Sequence, residues 1–280
     1  MFSLKKIIIS ILILGVFLSS VIFFSFVNSD FGSLEVSRVE IEGNVKISAL
    51  VYKPLGVSEV NQVPGVILSH GISGSKEMMN GIGLELAKNG FVVVSMDLVG
   101  HGDSGGVFGN QTIDPTLGMK DAVQYVGRLS FVNSSKIGLV GHSLGAGAVR
   151  ATSLVCDNVG ACVFIAGGLG ETANDPNNFG VLNSSFPANL LVAIGRYDVL
   201  FNLAETKQEL LPVFGRPLNV EESKVYGNFS NNSARSLFVS DSIHLFEPVD
   251  DEIVSEIVYW MNNSLNLKND FQQIQQSFEI

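Results

Sequence analysis

The most informative residues of this 280-residue chain are Lys136-Ile-Gly-Leu-Val-Gly-His-Ser-Leu-Gly-Ala-Gly-Ala-Val-Arg-Ala-Thr-Ser-Leu-Val155. The pattern predicts a short apolar strand that runs through Gly141 to Gly145 into a helix of small residues. A serine on so sharp a turn is crowded by its neighbours, so the flanking positions need glycine. The helix that follows points its amide dipoles at the reacting atom. This stretch therefore predicts that Ser143 is a nucleophile.

A second serine, Ser104, has the same spacing of glycines in Gly102-Asp-Ser-Gly-Gly106. It also follows a predicted strand, over residues 91–97. The residues after it, Val-Phe-Gly-Asn-Gln-Thr-Ile-Asp-Pro, predict a loop rather than a helix. Because the arrangement requires the amino terminus of a helix behind the serine, the context favours Ser143 over Ser104.

The first thirty residues predict a membrane segment. Residues 7–27 carry no charge and, at about 1.5 Å per residue, reach about 31 Å as a helix. That length spans the hydrocarbon region of a bilayer, whereas the apolar core of a cleaved signal peptide usually has about 7 to 15 residues. We therefore expect an uncleaved signal anchor. The alternative is a secreted protein cleaved near Val27-Asn-Ser29.

Charged residues around this segment predict its orientation. Lys5 and Lys6 precede it, and Asp30 and Glu35 follow it. By the positive-inside rule, we expect a single-pass protein of the cell membrane with its N-terminus in the cytoplasm and the remaining chain outside. The formal net charge of −10 argues against nucleic acid as a partner, because an acidic surface repels it. The expected contact with the lipid bilayer is made by residues 7–27.

The rest of the chain predicts alternating strands and helices. Short apolar runs predict strands over 45–53, 64–69, 91–97, 136–140, 161–166, 189–195 and 235–240. Helices are predicted over 77–89, 114–129, after Ser143, over 203–211 and from 248. Such alternation indicates an α/β fold with a mainly parallel sheet covered by helices on both faces. The expected organisation is a cytoplasmic N-terminus over 1–6, a transmembrane helix over 7–27, a linker and first strand over 28–44, the α/β domain over 45–266 and a C-terminal tail over 267–280.

Three polar residues that follow predicted strands form a candidate catalytic set. A serine hydroxyl needs a base to take its proton, and the base works best when a carboxylate orients it. His244 lies downstream of both Ser143 and Asp198, and this architecture uses the order serine, acid, histidine. His142 lies on the turn, where its side chain is expected to point away from Ser143. The competing acids lie in loops rather than at a strand end, and they are Glu171, Asp175 and Asp241.

Two backbone amides are expected to stabilise the negative charge that forms on an attacked carbonyl oxygen. One is the N–H of Leu144, directly after the nucleophile. The other is expected in Ser69-His-Gly-Ile-Ser-Gly74, where the glycines let the backbone curl towards the site, and Ile72 is the candidate donor. The alternative for this stretch is a plain glycine turn.

These residues together resemble the α/β-hydrolases, and the chain is most similar to serine esterases, dienelactone hydrolases and serine-aminopeptidase-like members. The resemblance runs from Val45 to Trp260, and it rests on residues 69–74, 97–106 and 141–145, Asp198 and His244. It implies an α/β-hydrolase fold and a Ser-His-Asp triad. It also implies that the residues around Ser104 form a structural turn rather than a nucleophile site.

Two connections depart from that family. About twenty residues lie between the strands that end at Ala166 and begin at Asn189, which are too few for a large helical lid. About 36 residues separate Asp198 from Arg235. We hypothesise that residues 218–232 of this long connection fold over the active site and shape the acyl pocket.

The sequence thus predicts a membrane-anchored serine hydrolase that cleaves a carboxylic ester or thioester through an acyl-enzyme. The expected substrate is a small-molecule or lipid-like acyl compound. No cofactor is needed, because side chains and backbone donors suffice for acyl transfer. A serine peptidase or an acyltransferase would use the same residues, and a noncatalytic binding module is the alternative of another class. A metallohydrolase on His70, His101 and Asp103 has no supporting ligand spacing.

Overall fold

A computed structural model describes residues 4–28, 32–109, 114–170 and 182–265. The predicted C-terminal tail over 267–280 and the competing acids Glu171 and Asp175 lie outside these residues. The N-terminal helix, α1, spans Leu4–Asn28. Its residues Leu4–Phe24 have a mean hydropathy of 2.9, and none of them is buried in the domain. A membrane anchor and a signal sequence both have these properties.

Eight strands form one sheet. They are β1 (Leu34–Ile41), β2 (Ile47–Pro54), β3 (Val63–Ser69), β4 (Val92–Met96), β5 (Val132–His142), β6 (Val159–Ile165), β7 (Leu190–Gly195) and β8 (Arg235–Ser240). Their order is β1-β2-β4-β3-β5-β6-β7-β8. Strand β2 is antiparallel to both of its neighbours, β1 and β4, and the strands from β4 to β8 pair in parallel. Every residue of β3, β4 and β7 is buried, as continuous apolar runs in a parallel sheet require. The predicted mainly parallel sheet is confirmed.

Helices cover both faces of the sheet. They are α2 (Asn80–Lys88), α3 (Met119–Gly127), α4 (Leu144–Val155), α5 (Leu203–Val213) and α6 (Asp251–Ser264). A Cβ on Gly65 of β3 would meet Val126 of α3. Gly138 of β5 points to the opposite face, because its neighbour Ile137 pairs in register with Gly65, and a Cβ there would meet Met261 of α6.

Three helices begin later than the sequence pattern predicts, and the first, α2, follows a 3-10 turn over Lys76–Met79. Asp114 accepts hydrogen bonds from Thr116 and Leu117, which makes a turn, and Gly118 has a φ of +89°. This positive φ is incompatible with a continuing helix, so α3 begins only at Met119. The C-terminal helix is preceded by a 3-10 turn, Glu247–Val249, before the carboxylate of Asp250 caps α6.

Residues 218–232 lie along the outer edge of the sheet. Tyr226 and Arg235 exchange backbone hydrogen bonds of 2.8 Å, and the Ser223 N–H donates to the carbonyl of Leu237 over 2.7 Å. Arg235 is the first residue of β8 and lies at the amino end of the parallel strands. Ser143 follows the carboxyl end of β5, at the opposite end of the parallel strands. This pairing contradicts the hypothesis that the connection folds over the active site for residues 223–232, whereas Glu222 reaches Arg196 after the carboxyl end of β7. The segment instead covers an edge strand that would otherwise expose unpaired backbone groups.

Both cysteines are free thiols. Cys156 lies at the end of α4 and is partly buried, and Cys162 is buried in β6.

Candidate active site

Ser143 lies in the sharp turn between β5 and α4. Its backbone has φ 53° and ψ −112°, a combination that non-glycine residues rarely adopt and that costs on the order of 1–3 kcal/mol. The surrounding strands hold it there, and its N–H donates to the carbonyl of Ile165 over 2.8 Å. The half-buried side chain follows the carboxyl end of a central parallel strand, where ligands of such sheets bind.

The flanking glycines allow the turn to pack against neighbouring backbone. A Cβ on Gly145 would lie 2.6 Å from the carbonyl oxygen of Ser69, and a Cβ on Gly141 would collide with the backbone of Gly145. Real Cβ atoms essentially never come this close to backbone atoms. The tight spacing predicted around Ser143 thus has a direct steric cause.

Asp198 and His244 meet at the same edge of the sheet. The distance between Oδ2 of Asp198 and Nδ1 of His244 is 2.9 Å. The other carboxylate oxygen of Asp198 accepts the N–H groups of Leu200, over 2.7 Å, and Phe201, over 3.0 Å. With Nδ1–H donating to the carboxylate, Nε2 of His244 keeps its lone pair as a proton acceptor. Among the described residues, no hydrogen bond joins the Ser143 hydroxyl to His244, and such contacts often tighten only when substrate binds.

The competing candidates from the sequence have other partners. Asp241 is exposed and forms a 3.1 Å ion pair with Arg196. The Ser104 hydroxyl donates to the carbonyl of Asp97 over 2.8 Å and accepts the N–H of Ser48 over 2.9 Å. Ser104 therefore stabilises the connection between two strands.

Gly71, the residue before Ile72, lies against Ser143. A Cβ placed on Gly71 would be 3.4 Å from the Cβ of Ser143. The ring Nε2 of His101 is 2.8 Å from the carbonyl oxygen of Ile72 and holds this loop in place. Leu144 is the first residue of α4, so its N–H has no acceptor within the helix. Leu144 thus follows the serine directly, and Ile72 follows the glycine that lies against it.

His142 packs beside His244, which the sequence did not indicate. The two ring centroids are 4.7 Å apart, and Nε2 of His142 donates to the carbonyl of His244 over 3.0 Å. Burial lowers the pKa of His142 to about 4, so this ring is neutral at ordinary pH. It packs against the ring of His244 and holds the backbone of that residue through its carbonyl oxygen.

Glu247 is a second buried acid beside His244, and sequence reasoning missed it. Its Oε1 accepts the N–H of Gly195 over 2.6 Å, and its Oε2 lies 3.5 Å from Nε2 of His142 and 3.7 Å from Nδ1 of His244. Burial, together with the charge of Asp198, raises the pKa of Glu247 to about 8. Its position three residues after the histidine is the only sequence signal, and nothing local indicates that it is buried.

The ligand atoms of His142, His244 and Glu247 lie within 4.8 Å of one another. Both imidazole nitrogens nearest Glu247 carry protons, because one donates to a carbonyl and the other to a carboxylate. A protonated nitrogen has no lone pair for a metal ion. With these hydrogen bonds in place, the cluster offers a metal ion no imidazole lone pair next to Glu247.

The residues of the alternative metal site considered from the sequence also bind other partners. His70 accepts the N–H of Leu98 over 3.1 Å, and its other ring nitrogen lies 2.7 Å from the carbonyl oxygen of Gly71. Asp103 forms ion pairs with Lys76, over 2.9 Å, and Arg38, over 3.0 Å. These contacts hold the loops that surround the site.

Residues 62–209 match the family model described as "Serine aminopeptidase, S33". The Escherichia coli protein YcjY is 34% identical over 107 residues, which cover 37% of this chain and 35% of YcjY. The Mycobacterium bovis protein Mb2734 is 34% identical over 85 residues, which cover 30% of this chain and 23% of that protein. The match thus spans about a third or less of the length of these curated relatives.

Solved structures share the architecture. The esterase Pf2001 of Pyrococcus furiosus has a TM-score of 0.60 and 23% identity, over 83% of this chain and 94% of that one. A "predicted CIB-like hydrolase" from Thermoplasma acidophilum has a TM-score of 0.59 and 16% identity, over 82% of this chain and 99% of that one. At such identities the likeness concerns the fold, and it confirms the fold expected from the sequence.

Proposed function

Because the chain belongs to the serine aminopeptidase S33 family of α/β hydrolases, we propose that it is a serine hydrolase acting on carboxylic esters or thioesters. Ser143 is the nucleophile, His244 the general base and Asp198 the residue that orients it. The observation that carries this proposal is the 2.9 Å contact between Asp198 and His244 at the sheet edge where Ser143 occupies a strained turn.

The reaction begins when Nε2 of His244 takes the hydroxyl proton of Ser143. The serine oxygen attacks the acyl carbon, and the carbonyl oxygen gains the negative charge, which the N–H groups of Leu144 and Ile72 stabilise. The imidazolium then gives its proton to the departing alcohol or thiol as the bond between acyl carbon and leaving group breaks. Water, deprotonated by His244, hydrolyses the acyl-enzyme, releases the acid and restores the Ser143 hydroxyl.

The surroundings of His244 support an apolar, lipid-like acyl group. The ring of Phe201 lies 5.5 Å from the ring of His244. Several large apolar side chains next to Asp198 and His244 are exposed to solvent, and they are Val199, Leu200, Ile243, Leu245 and Phe246. Apolar surface of this kind around a polar centre is typical of sites that bind hydrophobic ligands.

A peptidase is the second candidate, and the family description favours it. It would use the same three side chains, but an amide has a poorer leaving group and demands more of the protonated His244. Hydrolysis rates on p-nitrophenyl esters of graded chain length and on aminoacyl p-nitroanilides would separate the two. We expect faster turnover of the esters. An acyltransferase would be recognised by acyl transfer to an added alcohol in preference to water.

We also propose that α1 remains attached as a membrane anchor, with the hydrolase domain outside the cytoplasm. Its length and hydropathy support this, since the uncharged stretch exceeds the apolar core of most signal peptides. Intact mass of the protein extracted from membranes tests it. A species with residues 1–28 attached and resistant to alkaline washing is expected, whereas a soluble, shortened species would indicate a cleaved signal.

A fluorophosphonate probe tests the proposed chemistry on the detergent-solubilised full-length protein. We expect labelling of the wild type and of Ser104→Ala, which serves as the matched control because Ser104 has the same glycine spacing. Labelling should vanish in Ser143→Ala. No labelling of folded wild type would instead favour a noncatalytic binding module, and labelling retained in Ser143→Ala would assign the nucleophile elsewhere.

A further inference from the structure

Two buried carboxyl groups share one imidazole nitrogen. Nδ1 of His244 lies 2.9 Å from an oxygen of Asp198 and 3.7 Å from Oε2 of Glu247, and both acidic side chains are fully removed from solvent. The single hydrogen on Nδ1 points to Asp198, the nearer acceptor. Oε2 of Glu247 therefore needs another hydrogen-bond partner.

That oxygen has no donor to bind. Oε2 of Glu247 accepts no hydrogen bond from any residue that the structure describes. A buried carboxylate oxygen without a donor is costly, and a second negative charge beside Asp198 adds repulsion. A proton on Glu247 removes both costs. Burial, followed by the nearby charge of Asp198, raises the pKa of Glu247, as a proton on this carboxyl group requires.

We propose that Glu247 stays protonated and donates a hydrogen bond to Asp198, so that it acts as a positioning residue that holds the Asp198 carboxylate towards His244. The inference rests on the proposed function, because it assigns a role to Glu247 through Asp198. Glu247 itself is anchored by the Gly195 N–H, at the end of the strand that leads to Asp198.

The charged groups on neighbouring elements do not compensate a Glu247 anion. Within the described residues, only His142 and His244 lie within ion-pairing distance of it, and His142 is neutral. The elements packed against the 247–249 turn carry Lys76, Glu77, Glu85, Lys88, Asp251, Glu252 and Glu256. Lys76 pairs with Asp97, Asp103 and Glu77, and Lys88 pairs with Glu85. The acids of α6 would add only further negative charge.

Ionisation of Glu247 at alkaline pH would remove its hydrogen bond to Asp198 and place a second anion beside that carboxylate. Asp198 would then be less firmly held against Nδ1 of His244. Glutamine at 247 keeps a neutral N–H donor and cannot ionise. Leucine has a similar size but no donor. Comparing the two variants therefore separates the effect of the donated hydrogen bond from the effect of side-chain packing.

Ester hydrolysis by wild type, Glu247→Gln and Glu247→Leu over a range of pH tests the proposal. At pH 7 we expect Glu247→Gln to keep kcat within about threefold. Glu247→Leu should lose about ten- to hundredfold in kcat with KM unchanged, as expected for a lost hydrogen bond to a charged group. The kcat/KM of the wild type should fall as pH rises through about 8, and this decline should be absent in Glu247→Gln.

Infrared spectroscopy gives a second readout. It does not require an active enzyme, and it does not depend on whether the leucine variant folds. At neutral pH the wild type should show the C=O stretch of a protonated carboxylic acid, and this band should be missing in Glu247→Gln. Absence of the band in the wild type would overturn the proposal. A loss of kcat as large in Glu247→Gln as in Glu247→Leu would also overturn it, because the anion would then be required.

Fluorophosphonate labelling keeps this test distinct from that of the proposed function. Wild type that reacts at Ser143 but has the same pH profile as Glu247→Gln contradicts the role of Glu247 alone. Folded wild type that does not react contradicts the proposed function, and the infrared band then still decides whether Glu247 holds a proton.

Discussion

Nζ of Lys76 lies 2.6 Å from Oδ2 of Asp97, and both side chains are buried beneath the loops that border Ser143. Lys76→Met would leave Asp97 as an uncompensated buried charge. We expect it to lower the free energy of unfolding by about 3–5 kcal/mol. The exposed pair of Lys46 and Glu40 provides the control, and Lys46→Met should cost much less because solvent screens this pair. Urea denaturation measures both, and equal losses would contradict the difference expected from burial.

Gly145 is predicted to tolerate no side chain. A Cβ at this position would lie 2.6 Å from the carbonyl oxygen of Ser69, so Gly145→Ala should force apart the turn that carries Ser143. We expect a loss of about 1–3 kcal/mol in stability and a large loss of ester hydrolysis. Gly147→Ala is the matched control, because it lies in the same helix with no atom within 4 Å of the added methyl group. That variant should be as stable as the wild type or more so and fully active.

Asp198→Asn should retain the fold and lose activity. If Asp198 orients His244 as proposed, the amide favours the wrong tautomer of the imidazole, and kcat should fall by about 10⁴-fold with little change in KM. Asp241→Asn changes the neighbouring exposed acid that pairs with Arg196, and it should keep kcat within about threefold. Comparable losses in the two variants would contradict the assignment of Asp198.

The stability of the protein should fall as pH rises from about 6.5 to 8. The folded-state pKa of Glu247 is raised from its ordinary value to about 8, so the native state binds more protons than the unfolded state in this window. The expected slope is roughly 1.4 kcal/mol per pH unit from this group. Below about 6.5, His142 and His70 oppose it, because their lowered pKa values make stability rise with pH.

Denaturation of wild type and Glu247→Gln at several pH values measures the contribution of the Glu247 proton to this pH dependence. The difference in unfolding free energy between the two should grow in favour of Glu247→Gln between pH 6.5 and 8. A constant difference across that window would mean that Glu247 has an ordinary pKa in the folded protein.

Local patterns were sufficient to predict most of the sheet. The strand β8 has the predicted bounds, and the buried strands appear where the apolar runs occur, because period and hydrophobicity are properties of the chain itself. The start of α3 was not predictable in this way. Asp114-Pro115 is a good beginning for a helix, but the positive φ of Gly118 turns it into a separate loop.

The proposed site could be predicted only as far as chain order and strand ends allow. Ser143, Asp198 and His244 each follow a strand, and parallel strands bring their carboxyl ends to one edge. Glu247 was not identified, and the contact of His142 with His244 was not predicted, because both depend on burial and on contacts between distant elements. The course of residues 223–232 was mispredicted for the same reason, since their pairing with β8 depends on tertiary contacts.

Trapping an acyl group on Ser143 tests the proposed chemistry most directly. Full-length protein would be mixed with a p-nitrophenyl ester, quenched in acid during the first turnover, digested and analysed by tandem mass spectrometry. We expect the peptide that contains Ser143 to carry the acyl group in the wild type and no adduct in His244→Ala. Acylation of Ser104, or rapid release of p-nitrophenol without any acylated serine, would contradict the assignment of Ser143 as the nucleophile.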